Sequence, residues 1–138
     1  MFERTISLIG NDNYLKLKNS NILIIGLGGV GGYTLESLVR SGIENITIVD
    51  YDKIDISNIN RQIIATSNNI GKLKTDEWKK RILSINNNVK VNIINEKIDI
   101  NNISLLFNEN YDFIIDACDT VIVKKLLIKL LYAVWEEN

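Results

Sequence analysis

The stretch Ile24–Gly32, IIGLGGVGG, places five glycines in nine residues directly after an aliphatic run. Gly26, Gly28 and Gly31 satisfy G-x-G-x-x-G, and Asp50 follows about twenty residues on. That spacing suits phosphate binding. The first glycine permits a tight turn, the second lets backbone approach phosphate, and the third lets helix and strand pack closely. Free N–H groups and the helix dipole attract the anion, and Asp50 accepts from ribose hydroxyls. The alternative is that the glycines serve only a tight strand-to-helix turn. A dinucleotide that stays whole accounts for Gly26 to Asp50 and leaves two features without a role, Gly29 and the polar segment Tyr51 to Gly71. A loop of that length inside a compact domain is usually functional or disordered.

The elements around these residues alternate. NILIIG (Asn21 to Gly26) and NITIVD (Asn45 to Asp50) read as strands buried on both faces. Between them Val30, Thr34, Leu35, Leu38 and Val39 recur at helical spacing, and Ser41-Gly42 supplies a left-handed stop. Thr75, Trp78, Ile82 and Ile85 predict a helix from about Lys72 to Asn86. Lys90 to Ile94 and Phe113 to Asp116 are the third and fourth strands, with a short helix at Ile103 to Phe107 and a last helix opening near Thr120. The expected fold is α/β, a Rossmann-like parallel sheet with flanking helices and its ligand at the carboxyl ends of the strands. Gly26 to Gly31, Asp50 and Asp116 to Asp119 fall on that edge. Lys72 and Lys74 are expected in a first helical turn, where the dipole disfavours cations by up to about 1 kcal/mol. Either an anion offsets this or both lysines are solvated.

At 138 residues and 46% hydrophobic content the chain suits one globular domain. With 16 Lys plus Arg against 17 Asp plus Glu it has no global basic field for nucleic acid or an anionic membrane. Any RNA contact is local or lies outside this chain. Cys118 is the only cysteine, which excludes an intrachain disulfide framework and a thiolate zinc cage and suits a reducing cytoplasm. The N-terminus mixes charges with apolar residues, unlike a secretory signal. VIVKKLLIKLLYAVW is interrupted by Lys124, Lys125 and Lys129 and is too short and too charged for a membrane span.

IIGLGGVGG together with IVDYD, SNINRQ, GKLKTD and DACDT resembles the ATP-binding half of the ubiquitin-activating-enzyme-like superfamily, whose bacterial members adenylate sulfur-carrier proteins. Within it, FERTISLIG, NINRQI and DACDT resemble the tRNA threonylcarbamoyladenosine dehydratases, which use ATP to cyclise the side-chain carboxylate of that modified adenosine. The resemblance runs from about Phe2 to Leu130. It implies ATP and Mg2+ as cofactors, a tRNA carrying threonylcarbamoyladenosine as partner, a homodimer, and a possible sulfur-relay protein partner. It also implies roles. Gly28, Gly29 and Gly31 line the phosphate loop, Asp50 holds the ribose, and Asp52, Asn58 and Gln62 sit close by. Arg61 and Lys74 grip the phosphates, Asp119 helps bind magnesium, and Arg4 enters the partner's active site.

Each role has a plainer counterpart. Arg61 could pair with Asp52 or Asp55, Asp119 could cap the last helix, and Arg4 could be a solvated terminal charge. Cys118 suggests a nucleophile, but without a histidine as base, packing is the better reading. The expected organisation is an N-terminal arm (1–20), an adenylation domain (21–130) and an atypical tail (131–138). Glu136 and Glu137 put negative charge at a helix C-terminus, where it is disfavoured. One back-translation of the tail, read in a shifted frame, yields a glycine segment like the family's. The expectation is an out-of-frame deletion just before Leu131, which sequencing the coding DNA decides. A sheet edge and an apolar last helix would then stand uncovered. The competing functions are carrier-protein adenylation, an NAD-binding oxidoreductase, and an inactive truncated nucleotide-binding remnant.

Overall fold

β-Branched runs ending at glycine or aspartate build the centre of the molecule. The computed structural model of the chain describes residues 1–136, the side chains of residues 134 and 135 excepted. Four strands, β1 (Asn21–Ile25), β2 (Asn45–Val49), β3 (Lys90–Ile94) and β4 (Phe113–Asp116), form one sheet in the order β3-β2-β1-β4. All pairs are parallel, with Ile24 beside Ile48 and Ile115, and Ile25 beside Val49 and Asp116. Because side chains alternate along a strand, β1 feeds two cores. Ile22 and Ile24 face α3 (Gly29–Ser41) and α4 (Lys74–Ile85), packing with Leu35, Val39, Trp78 and Ile82. Leu23 and Ile25 face a 3-10 segment (Ile103–Phe107) and α5 (Val121–Glu136), packing with Leu106, Val123 and Leu127. The N-terminus adds two exposed helices, α1 (Glu3–Ile9) and α2 (Asn11–Asn19), joined at Gly10. No described helix is long and apolar enough to cross a membrane.

The order of the strands matters for function. The chain leaves β1 toward β2 and β3, then returns to place β4 on the other side of β1. That reversal opens a crevice at the carboxyl ends of β1 and β4.

Three expectations change in detail. Val30 is exposed at the start of α3 instead of joining its apolar face. Helix α4 begins at Lys74, two residues later than its periodicity predicts. The Ile54 N–H donates to the Lys72 carbonyl (2.8 Å), and Lys53 and Leu73 form an antiparallel bridge, so residues 72–73 are held extended. Lys72 is therefore outside the first turn. The last helix runs through Glu136, so residues 131–136 of the expected tail continue it, and Glu137 with Asn138 lies outside the described residues.

A buried carboxylate that periodicity alone does not reveal ties α3 to α4. Glu36 is 7% exposed and accepts from Arg81 Nε (2.6 Å), Arg81 Nη2 (2.9 Å) and Arg40 Nε (2.8 Å). The Arg81 hydrogen bonds, opposed by burial and aided by Arg40, hold its carboxyl below the usual carboxylate range. A carboxyl depressed in the folded state contributes its full stability above its unfolded value of about 4.3 and loses it as pH falls through the lower folded value. Both arginines are partly solvated, which moderates the pair. Glu36→Gln should lower unfolding free energy by about 1–2 kcal/mol at pH 7. Urea melts of both proteins should converge as pH falls through the lowered folded value; a gap that stays constant through that titration contradicts the ion-pair account.

Candidate functional site

The strand-to-helix turn is shaped by two contacts that only glycine allows. Gly26 sits at φ +93°, and a Cβ there would lie 2.7 Å from the Ala117 carbonyl oxygen of the neighbouring crossover. A Cβ on Gly31 would overlap the Gly26 carbonyl oxygen outright. Gly28 and Gly29 differ. A Cβ on Gly28 would meet nothing nearer than Gln62 Nε2 at 3.8 Å, and one on Gly29 nothing nearer than the Arg61 carbonyl oxygen at 3.6 Å. Packing within the chain does not require glycine at either position. The volume they leave free opens on a crevice of about 430 Å³. Helix α3 starts there with Gly28 as its cap and no capping side chain, so its first N–H groups keep their hydrogen-bonding capacity.

Asp50, at the end of β2, is fixed before any ligand arrives. Leu27 N–H donates to its Oδ2 (2.8 Å) and Asp52 N–H to its Oδ1 (2.8 Å). Each oxygen retains a further lone pair. The long loop is ordered around a reciprocal cap: Ser57 N–H donates to Asp55 Oδ1, and Asp55 N–H donates to Asn58 Oδ1, both at 2.8 Å. This turn carries Asn58, Arg61 and Gln62 to the crevice. Asp55 is occupied by the cap, and Arg61 donates to the Ser57 carbonyl (3.2 Å) and Asn60 Oδ1 (2.9 Å). Among the described residues Arg61 pairs with neither Asp52 nor Asp55, and its guanidinium charge is uncompensated. Gln62 is 6% exposed and its Oε1 has no partner.

Lys74 is buried in the first turn of α4, with Nζ 3.5 Å from Asp52 Oδ2 and Asp76 and Glu77 in the same turn. The anion that offsets the helix dipole is thus in the chain itself, and the solvated alternative fails for Lys74. Lys72, outside the helix, lies 3.9 Å from Glu77.

From the β4 side come Ala117, Cys118, Asp119 and Thr120. Thr120 directly precedes α5, and Asp119 is exposed on the crevice wall. Burial pushes the Cys118 thiol up, and the Asp116 carboxylate accepting from its Sγ at 3.0 Å adds to this. A thiol so held is a poor nucleophile at neutral pH. The Asp116 carboxyl is raised by burial but lowered more by its bonds from Cys118 and Lys124, and ends below its usual range.

The crevice therefore brings together Gly26, Gly28, Gly29, Asp50, Asp52, Asn58, Arg61, Gln62, Lys74 and Asp119, with Gly31 one turn behind. Arg4 is not among them: it is exposed on α1 and does not line the crevice of its own chain. Glu96, Lys97 and Ile98 also line the crevice and carry no motif signal, because they reach it through the segment after β3.

The ThiF family model matches residues 2–134. The chain belongs to the ThiF family. This ThiF-family chain is 45% identical over 117 residues to the tRNA threonylcarbamoyladenosine dehydratase of Haemophilus influenzae, covering 85% of the chain and 45% of that protein. It is 41% identical over 118 residues to the adenylyltransferase and sulfurtransferase UBA4 of Vanderwaltozyma polyspora, covering 86% and 27%. The Escherichia coli tRNA N6-threonylcarbamoyladenosine dehydratase superposes with a TM-score of 0.89 at 34% identity, covering 92% of this chain and 53% of that one. The same enzyme solved in complex with ATP gives 0.84 at 33% identity, covering 87% and 49%. The chain spans about half the length of these dehydratases.

What the crevice can hold follows from its donors. A triphosphate matches uncapped helix N–H groups, a free guanidinium and a buried ammonium; Arg supplies a planar fork and Lys a point charge. No group of three metal-ligating side chains occurs among the described residues. A divalent ion would thus need phosphate oxygens beside a carboxylate of the crevice, the ligand set that a hard cation prefers.

Proposed function

We propose that the chain carries the ATP-binding part of an adenylating enzyme that acts on the carboxylate of threonylcarbamoyladenosine in tRNA. The observation that carries this reading is the free volume over Gly28 and Gly29, faced by an Arg61 without an acidic partner and flanked by buried Lys74. In the reaction a carboxylate oxygen attacks the α-phosphorus of ATP, the bond to the bridging oxygen breaks, and pyrophosphate leaves with the negative charge. AMP departs when the ring closes, so the oxygen lost from the carboxylate leaves on phosphate. Little covalent chemistry falls to the protein; its work is placement and charge.

Asp50 holds the ribose from its prearranged carboxylate, and the α3 N–H groups with Arg61 and Lys74 neutralise the departing pyrophosphate. Asn58 and Gln62 line the same wall, and Asp52 keeps Lys74 oriented. Asp119 would hold Mg2+, which supplies further neutralisation of the triphosphate. Arg4, remote from its own crevice, acts in that of a second copy, making the working unit a homodimer. The single cysteine is in keeping with a cytoplasmic setting.

Calorimetric titration with ATP–Mg2+ and with NAD tests the site. ATP should bind and NAD should not; uptake of NAD alone would favour an oxidoreductase. Radiolabelled pyrophosphate exchange into ATP tests the chemistry, and its absence together with failure to bind ATP identifies an inactive remnant. Similarity to UBA4 keeps carrier-protein adenylation as the second reading. Mass spectrometry of tRNA nucleosides from a deletion strain separates the two: loss of cyclic threonylcarbamoyladenosine is expected, and an unchanged level points to a carrier.

A further inference from the structure

The crevice wall on the β4 side, residues 117–120, belongs to neither a strand nor a helix, yet it carries Asp119 and packs against the glycine turn. Its near end is clamped. Ala117 N–H donates to the Ile25 carbonyl (2.8 Å), and the Ala117 carbonyl oxygen lies 2.7 Å from where a Gly26 Cβ would stand. The far end, Asp119 and Thr120, has no hydrogen bond to β1 among the described residues. There the Thr120 carbonyl accepts from Lys124 N–H (3.3 Å) and from Cys118 Sγ (3.8 Å).

What ties this far end to the sheet is centred on Asp116, the last residue of β4. Its Oδ1 accepts from Cys118 N–H (3.1 Å) and Cys118 Sγ (3.0 Å), and its Oδ2 accepts from Lys124 Nζ (3.0 Å). Lys124 closes the first turn of α5, so its ammonium reaches back across the whole connection to the strand end. A cation this close to a helix N-terminus is disfavoured by the dipole, and the Asp116 carboxylate offsets that cost. Neither Lys124 nor Asp116 lines the crevice. The Lys124 ammonium is thus committed to a carboxylate outside the crevice, unlike that of Lys74, which lines it.

We propose that Lys124 is a positioning residue for nucleotide binding: paired with Asp116, it fastens the start of α5 to the end of β4 and so sets where Asp119 and Thr120 stand opposite the glycine turn. This rests on the nucleotide reading of the crevice. Both partners are partly solvated, and such pairs add little to overall stability. The pair therefore acts on the placement of the wall and leaves the global melt almost untouched.

The test combines amide hydrogen exchange, read by mass spectrometry, with ATP–Mg2+ calorimetry. Lys124→Met keeps most of the side-chain length and removes the charge. Peptides covering 117–123 should exchange about fivefold faster than in the wild type, the other peptides should not change, and ATP–Mg2+ should bind about five- to tenfold more weakly. Lys124→Arg, which can donate to the same carboxylate, should restore both readouts to within about twofold of wild type. Asp116→Asn keeps an oxygen for Cys118 and should lose affinity by a similar factor, with nothing further lost when it is combined with Lys124→Met. Normal ATP affinity in Lys124→Met overturns the proposal. So does weaker binding with unchanged exchange over 117–123, which makes Lys124 a direct ligand contact, or faster exchange throughout the chain with a lowered melting temperature, which makes the pair a global support. A wild-type chain that binds no ATP overturns the nucleotide reading and this inference with it.

Discussion

Gly31→Ala should leave no cooperative unfolding transition, whereas Gly28→Ala, three residues away in the same motif, should melt at the wild-type temperature. At Gly31 the added methyl overlaps the Gly26 carbonyl oxygen and comes 3.2 Å from the Ala117 side chain. Backbone cannot swing aside as a flexible side chain can, so α3 must separate from β1. That separation opens the core at Leu35 and Val39, and the expected loss is above about 4 kcal/mol, a large share of a small domain's stability. At Gly28 the methyl meets only Gln62 Nε2 at ordinary contact distance, and φ is −80°, which alanine adopts without strain. What it occupies is the space assigned to phosphate, so ATP affinity should fall about tenfold at unchanged stability. Thermal melts by circular dichroism with ATP calorimetry check both. A folded Gly31→Ala with a normal melt contradicts the packing account, and a Gly28→Ala that binds ATP normally takes the free volume away from the ligand.

Arg61→Ala should weaken ATP–Mg2+ binding about 10- to 100-fold, the loss expected for one or two hydrogen bonds to a charged group at about 1.5–3 kcal/mol. The fold should be indifferent, since the guanidinium is exposed and bonds only to Ser57 and Asn60 within its own turn. Lys74→Ala makes the instructive contrast. Its ammonium is buried beside Asp52, so removal strips the site of a cation and also leaves that carboxylate without its partner. Here lost affinity should come with a lower melting temperature, whereas Arg61→Ala loses affinity alone. Should Arg61→Ala bind ATP like wild type, the polyanion assignment of this crevice is wrong, because no other acid-free cation faces Gly29 among the described residues.

Periodicity and turn chemistry were enough to read the sheet from the sequence. The β-branched runs, the helical spacing of Thr75, Trp78 and Ile82, and Gly42 as a left-handed stop are local signals, each acting within a few residues. Gly26, Gly28, Gly31 and Asp50 were legible for the same reason: their spacing is set by one strand, one turn and one helix. Gly31 is fixed locally by the Gly26 carbonyl, but only the tertiary structure separated Gly26, crowded by the Ala117 carbonyl, from Gly28, which meets nothing nearer than Gln62, because those partners lie far along the chain. It likewise turned Lys74 from a cation at an unfavourable helix end into the buried partner of Asp52, and gave Glu36 two arginines from different helices. Tyr51 and Lys97, a crossover apart in sequence, met for the same reason. A residue's type and its near neighbours record what the backbone does locally; which distant groups share its low-dielectric surroundings is fixed only when the strands take the order β3-β2-β1-β4.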